Sequence, residues 1–264
     1  ERPSRRDAAI WMALAAVPSA LLISVTAHLS TDVAPSPFLW VIPLALYLVT
    51  FVLVFQQSPA LPQGAMVLIQ PPLLVGLVAT MVFSVHDYLP LVMLLHVTAF
   101  FVTAMVCHGE LARRRPAAGH LTAFYMWMSA GGVIGGVAAA LIAPEVFSWV
   151  AEYPILIVLA ILCRPGLTLA SRRETILTLI TFAVAAAVIV IPAVAFEATL
   201  DSPSFYWSLG VLLALALAAS QLKSPLAFAA LIALAFLVFR SYETELERVR
   251  SFFGVHKVID RGDG

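Results

Sequence analysis

Apolar runs long enough to cross a bilayer recur down this chain, and up to Lys223 its lysines and arginines fall only between alternate runs. A bilayer core takes about 20 apolar residues as helix, because lipid offers no partner to an unpaired backbone amide. Runs of that kind cover about 9–27, 38–55, 65–84, 89–107, 121–143, 146–163 and 175–196. A further run, 205–239, divides at Gln221-Leu222-Lys223-Ser224-Pro225 into two halves, each short for a span. The chain is 62% hydrophobic and 11% charged, where a soluble domain carries about 25% charged residues. The expected fold is all-α: a polytopic integral membrane helical bundle of about 8–9 transmembrane helices over residues 1–240. Residues 241–264 are charged and read as the start of a soluble domain, and Glu1 in place of Met suggests a fragment of a longer protein.

Charge sorts by side. Lys and Arg stand at 2, 5 and 6, at 113–115, at 164, 172 and 173, and at 223. The intervening loops hold Asp32, Asp87, Glu145, Glu152, Glu197 and Asp201 and no basic residue. The positive-inside rule assigns the first set to the cytoplasmic side of a membrane crossed many times. The lipid bilayer is then the main partner. No basic stripe with interleaved aromatics appears, so nucleic acid is not expected. Cys107 and Cys163 are the two cysteines, and both fall at basic ends of spans, where free thiols are expected.

One stretch organises the rest. CHGELARRRPAAGH, from Cys107, reads as a basic hairpin, with Gly109 ending span four and Thr122 capping span five. LTAFYMWMSAGGVIGGVAAALIAP continues as an apolar helix with Gly131, Gly132, Gly135 and Gly136 on one side. Each Gly-xxx-Gly pair lets a second helix approach closely, as a fixed packing seam or as one that slides in transport. Gln70-Pro71-Pro72 is expected to bend or break span three and to leave carbonyls around Met66 to Leu68 without helical partners. Pro18 can kink span one, and Trp40 and Tyr47 suit an interface or a packed face of span two.

The stretch CHGELARRRPAAGHLTAFYMWMSAGGVIGG resembles the membrane portion of bacterial multi-pass spermidine-synthase-like proteins, a major-facilitator-like region fused to a spermidine synthase. VPSALLISVTAHLSTDVAPSPFLWVIPLALYLVTF resembles that family's preceding helical hairpin, and RSFFGVHKVID its join into the soluble synthase domain. The resemblance covers roughly 9–165 and 250–260. It implies further membrane helices before residue 1 and a synthase-like domain after 264. It also implies aminopropyl-transfer chemistry, located in that soluble domain. The family pattern has an Asn shortly after the second glycine pair, where this chain has Val137, Ala138, Ala139 and Ala140, so no role resting on that amide carries over.

Within the chain itself no nucleophile–base pair, phosphate loop or cofactor fingerprint is present, so no catalytic, cofactor-binding or metal residue is assigned and no cofactor is expected. Three places offer weaker chemistry. His28 and Asp32, four apart, with His86, Asp87 and Glu152 from loops on the same side, could line a cation-recognising mouth or form an ordinary solvated rim. In the basic hairpin, His108, Glu110, Arg113, Arg114, Arg115 and His120 form either a structural turn whose arginines meet lipid headgroups, or an anion or metal site. His96, at mid-depth, is either a neutral imidazole bonded to a neighbouring helix or a proton or metal site whose partner the sequence does not name. No carboxylate lies well inside a span, which counts against polyamine transport by these residues alone. Three functions remain open: membrane anchor of a synthase-like domain, with or without moving or sensing a small molecule; transporter half; or structural subunit of a larger assembly. The tail's side is open too. Nine crossings put Arg240 and the residues after it outside, whereas a cytoplasmic cofactor would require them inside.

Overall fold

The computed structural model describes residues 3–30, 38–57, 60–82, 89–165, 176, 180, 224–242, 247–251 and 254–258. Its helices are α1 (Arg5–His28), α2 (Val41–Val54), α3 (Gln63–Val82), α4 (Leu89–Arg113), α5 (Leu121–Val137), α6 (Ala143–Val146), α7 (Glu152–Leu162) and α8 (Pro225–Tyr242). A 3₁₀ turn, Ala118–His120, leads into α5, and a π turn, Ala138–Ile142, joins α5 to α6. After α8, strands β1 (Glu247–Ser251) and β2 (Gly254–Val258) pair antiparallel, Glu247 opposite Val258 and Ser251 opposite Gly254. Arg5–His28, Gln63–Met81, Leu89–Arg113 and Ala118–Val146 are long and apolar enough to cross a membrane, whereas Val41–Val54, Glu152–Leu162 and Pro225–Leu237 are shorter apolar helices. The expected spans at 175–196 and 205–220 lie outside the described residues, apart from Ile176 and Ile180.

Helix α1 starts on a capping box: Ser4 Oγ accepts from the Asp7 amide at 3.2 Å, and the Asp7 carboxylate accepts from the Ser4 amide at 2.8 Å. Inside an apolar run, hydroxyls must find partners on their own helix or on a neighbour. Ser24 Oγ donates to Ala20 O at 3.0 Å and Thr26 Oγ1 to Leu22 O at 2.8 Å.

Helices consecutive in the chain alternate in direction, and cross-links at one end show it. Trp11 Nε1 donates to Arg114 O (3.1 Å) and Gln63 Nε2 to Val106 O (2.9 Å). Trp11 also meets Phe124 edge-on, ring centroids 5.2 Å apart. The start of α1, the start of α3, the end of α4 and the start of α5 therefore share the arginine-bearing end. The main core gathers Leu21, Val25, Leu74, Leu77, Phe100, Tyr153, Ile157 and Phe228 from α1, α3, α4, α7 and α8. Leu48, Val52, Leu68, Leu91, Leu94 and Val133 are exposed, the faces that a bilayer would cover.

Helix α5 lies on α1 at backbone distance. A Cβ added at Gly131 would meet the Met12 carbonyl and come within 2.7 Å of Met12 Cα; one at Gly135 would meet the Ala16 carbonyl and come within 2.8 Å of Ala16 Cα. A Cβ at Gly136 would make ordinary contact with Ser19 and Ile23, and one at Gly132 would meet open space. Gly132 instead offers its carbonyl, which accepts from Ser19 Oγ at 2.8 Å.

The basic hairpin expected from residue 107 is corrected. Helix α4 continues through Arg113, because Gly109 serves as a notch and not as a stop. A Cβ there would overlap the Gln63 side chain, so the glycine admits the amide that bonds Val106 O. Cys107, His108, Gly109 and Glu110 are consequently buried in the bundle. Thr122 does not cap α5, whose N-cap position is His120 with no side-chain bond.

Of the bend or break expected at Gln70-Pro71-Pro72, no break occurs, whereas a carbonyl in the expected range does lose its helical partner. Helix α3 runs without interruption through both prolines. Pro71 has no N–H for the carbonyl four residues back, Val67 O. Arg164, just past the end of α7, supplies the missing donor: its Nη2 donates to Val67 O at 3.1 Å.

Candidate functional site

At the end of the bundle away from the arginines, α1, α3, α4 and α7 bring four polar side chains into the core. Tyr153 occupies the first turn of α7, where the adjacent Pro154 is tolerated. Its hydroxyl lies 2.8 Å from His96 Nδ1 on α4, and Thr80 Oγ1 on α3 lies 3.3 Å from His96 Nε2. Thr80 has one proton, and it points to Leu77 O at 2.8 Å. Thr80 therefore accepts from Nε2–H, which leaves the Nδ1 lone pair to accept from Tyr153. Both imidazole nitrogens are satisfied with His96 neutral. His28, from the last turn of α1, packs its ring 4.8 Å from His96 and 5.0 Å from Tyr153, the latter stacked. His28 is buried in this cluster. Glu152, adjacent to Tyr153, is buried too, where the sequence suggested an exposed rim. Asp32, His86 and Asp87, the remaining candidates for that rim, lie outside the described residues.

A second buried polar group sits twelve residues further along α4. His108 Nδ1 is 2.8 Å from Thr50 Oγ1 on α2, and Thr50 donates its proton to Tyr47 O at 2.6 Å. Nδ1–H is thus the donor, and His108 Nε2 is buried without a hydrogen-bond partner. Phe51 covers the ring at a centroid distance of 3.9 Å. Between the two histidines, Gln70 Nε2 lies 3.4 Å from Thr103 Oγ1. A void of about 10 Å³ adjoins Thr103 and Tyr153 and is otherwise walled by side chains such as Leu21, Leu74, Leu77 and Phe100. It approaches the volume of a single water and is far below that of a polyamine.

The arginine-bearing end is organised by Glu110. Its carboxylate accepts from Arg114 Nε at 2.7 Å and from Arg113 Nη1 at 3.1 Å. Arg115 is exposed, and His120 is half-buried at the start of α5. Among the described residues no three His, Cys, Asp or Glu side chains converge as metal ligands. Cys107 and Cys163 are free thiols.

Several residues here were not singled out from sequence: Tyr153, Thr80, Thr50, Gln63, Gln70 and Arg164. The available signal was a hydroxyl or amide inside an apolar run, since such a group needs a partner on another helix or on its own backbone.

Compared with known proteins, the chain matches no family description, no curated protein and no solved structure. What it does is therefore argued from its residues and their geometry.

Proposed function

We propose that this chain is the membrane domain of a spermidine-synthase-like protein, with about eight or nine crossings of a bacterial inner membrane, and that it anchors the attached domain. The observation that carries the anchoring reading is the α1–α5 seam. Met12 and Ala16 backbone atoms occupy the space a side chain would need at Gly131 and Gly135, and Ser19 is bonded across to Gly132. A seam fitted at backbone level favours a fixed support over a moving one. The basic end would face the cytoplasm.

Strand β1 lies against α6, which follows the π turn at the end of α5 away from the arginines. That favours an attached domain on the side away from the arginines. A synthase-like domain there has no evident access to a cofactor made in the cytoplasm, so binding or scaffolding is favoured over aminopropyl transfer.

The second reading is a transporter half of major-facilitator type. The buried His28, His96 and Tyr153 cluster favours it, because polar groups inside a membrane bundle commonly mark ligand or proton paths. The third is a structural subunit of a larger assembly, which the exposed apolar face of α5 would suit.

The test places a protease site between Tyr242 and Glu247 of the full-length protein. Protease added to spheroplasts is expected to cut it and to release the attached domain from the membrane. Release only in inverted vesicles would put the tail in the cytoplasm. A cut domain that stays on the membrane would contradict anchoring through this chain.

A further inference from the structure

The arginines of α1 and α4 come from opposite ends of their helices yet share one end of the bundle. We propose that this end binds the phosphate headgroup of an anionic phospholipid, with Arg5, Arg6 and Arg115 as ligands beside Arg113 and Arg114. Three observations carry it. First, the two segments are tied together: Trp11 Nε1 donates to Arg114 O at 3.1 Å, and Asp7 feels the charge of both Arg114 and Arg6. Residues more than a hundred positions apart thus form one surface.

Second, the counter-charge is already engaged. The segments Arg5–Asp7 and Glu110–Arg115 hold two carboxylates for five arginines. Asp7 accepts from the Ser4 amide and hydroxyl at 2.8 and 2.7 Å, and Glu110 is bound to Arg113 and Arg114. The Glu110 side chain is 7% exposed, whereas those of Arg113 and Arg114 are 61% and 45% exposed. Glu110 therefore fixes the inner edges of two guanidinium groups and leaves their outer edges for another acceptor. Arg5, Arg6 and Arg115 are exposed.

Third, the depth selects the ligand. The cluster caps α1 and α4, two of the helices apolar enough to cross a membrane, and the buried Trp11 sits one to two turns below it. On the membrane-domain reading proposed above, that is the level of the lipid phosphates, where each basic side chain adds about a five-fold gain in binding to an anionic surface. A planar guanidinium matches a phosphate with two parallel hydrogen bonds, which a zwitterionic headgroup's own ammonium would contest.

The experiment uses the whole chain in nanodiscs of phosphatidylcholine with a minor share of phosphatidylglycerol, and reads retained lipid by native mass spectrometry after gentle extraction. Wild type is expected to keep phosphatidylglycerol over phosphatidylcholine. Arg5→Gln/Arg6→Gln/Arg115→Gln, which leaves the Glu110 pairs and Trp11 in place, is expected to lower that preference at least about ten-fold. An unchanged preference would overturn the proposal. So would displacement of the lipid by inorganic phosphate but not by chloride at equal ionic strength, since the site would then take free phosphate. Should the triple variant fail to fold, Arg115→Gln alone is measured, with a loss of about five-fold expected and no loss contradicting the assignment.

Discussion

His96 is hydrogen-bonded at both ring nitrogens, by two hydroxyls with different roles. Thr80 is committed as an acceptor by its bond to Leu77 O, and Tyr153 is left to donate to Nδ1. Tyr153→Phe removes that donor and keeps the ring stack on His28, so the loss isolates one hydrogen bond. A buried acceptor without its partner costs roughly 1–3 kcal/mol, although cross-helix bonds in membranes average nearer 0.6. The variant is expected to unfold earlier in a detergent titration by about 1 kcal/mol, with its secondary structure unchanged. No change would mean that His96 finds another donor. In the sequence, His96 was legible as a buried imidazole, but Tyr153 was not legible as its partner. The two are 57 positions apart, and only the packing of α7 on α4 makes them neighbours.

At the scale of helices, two adaptations make close packing possible. Small residues let α5 reach the α1 backbone, and Arg164 repairs the turn that Pro71 leaves open. The first yields a contrast within one motif. Gly135→Leu is expected to cost about 3 kcal/mol or more, since it drives a large side chain into backbone. Gly132→Ala is expected to fall within about 0.5 kcal/mol, since its Cβ meets open space. Thermal unfolding of both variants in the same detergent checks it; equal losses would contradict this register. The glycine repeat was legible in the sequence as a seam. Which of the two interleaved pairs makes the contact was not, because both satisfy the same four-residue spacing.

The second adaptation predicts a coupling. Arg164→Met should leave Val67 O without its donor and destabilise by about 1–2 kcal/mol. Pro71→Ala restores the helical N–H for that carbonyl, so the same Arg164→Met change should cost less in the Pro71→Ala background. Additive losses in this double-mutant cycle would show that the Arg164–Val67 bond contributes nothing. The prolines were legible as a defect in α3. The rescue was not, because Arg164 reads in sequence only as one more charge at a basic end.

For the molecule as a whole, hydropathy and charge made the helical, membrane-compatible class readable, and the alternating directions of the first helices agree with the charge map. The extent of α4 was not legible, because a Cys-His-Gly-Glu run is polar in composition, yet its members are taken up by partners or a notch inside the bundle. On the reading proposed above, this bundle supports an attached domain and does not transport. The deciding measurement uses sealed proteoliposomes bearing the full-length protein, with labelled putrescine or spermidine outside. Uptake is expected to be no faster than in protein-free liposomes, with or without a proton gradient. Saturable uptake that Gly135→Leu abolishes would contradict a supporting role and would make the α1–α5 seam a moving part.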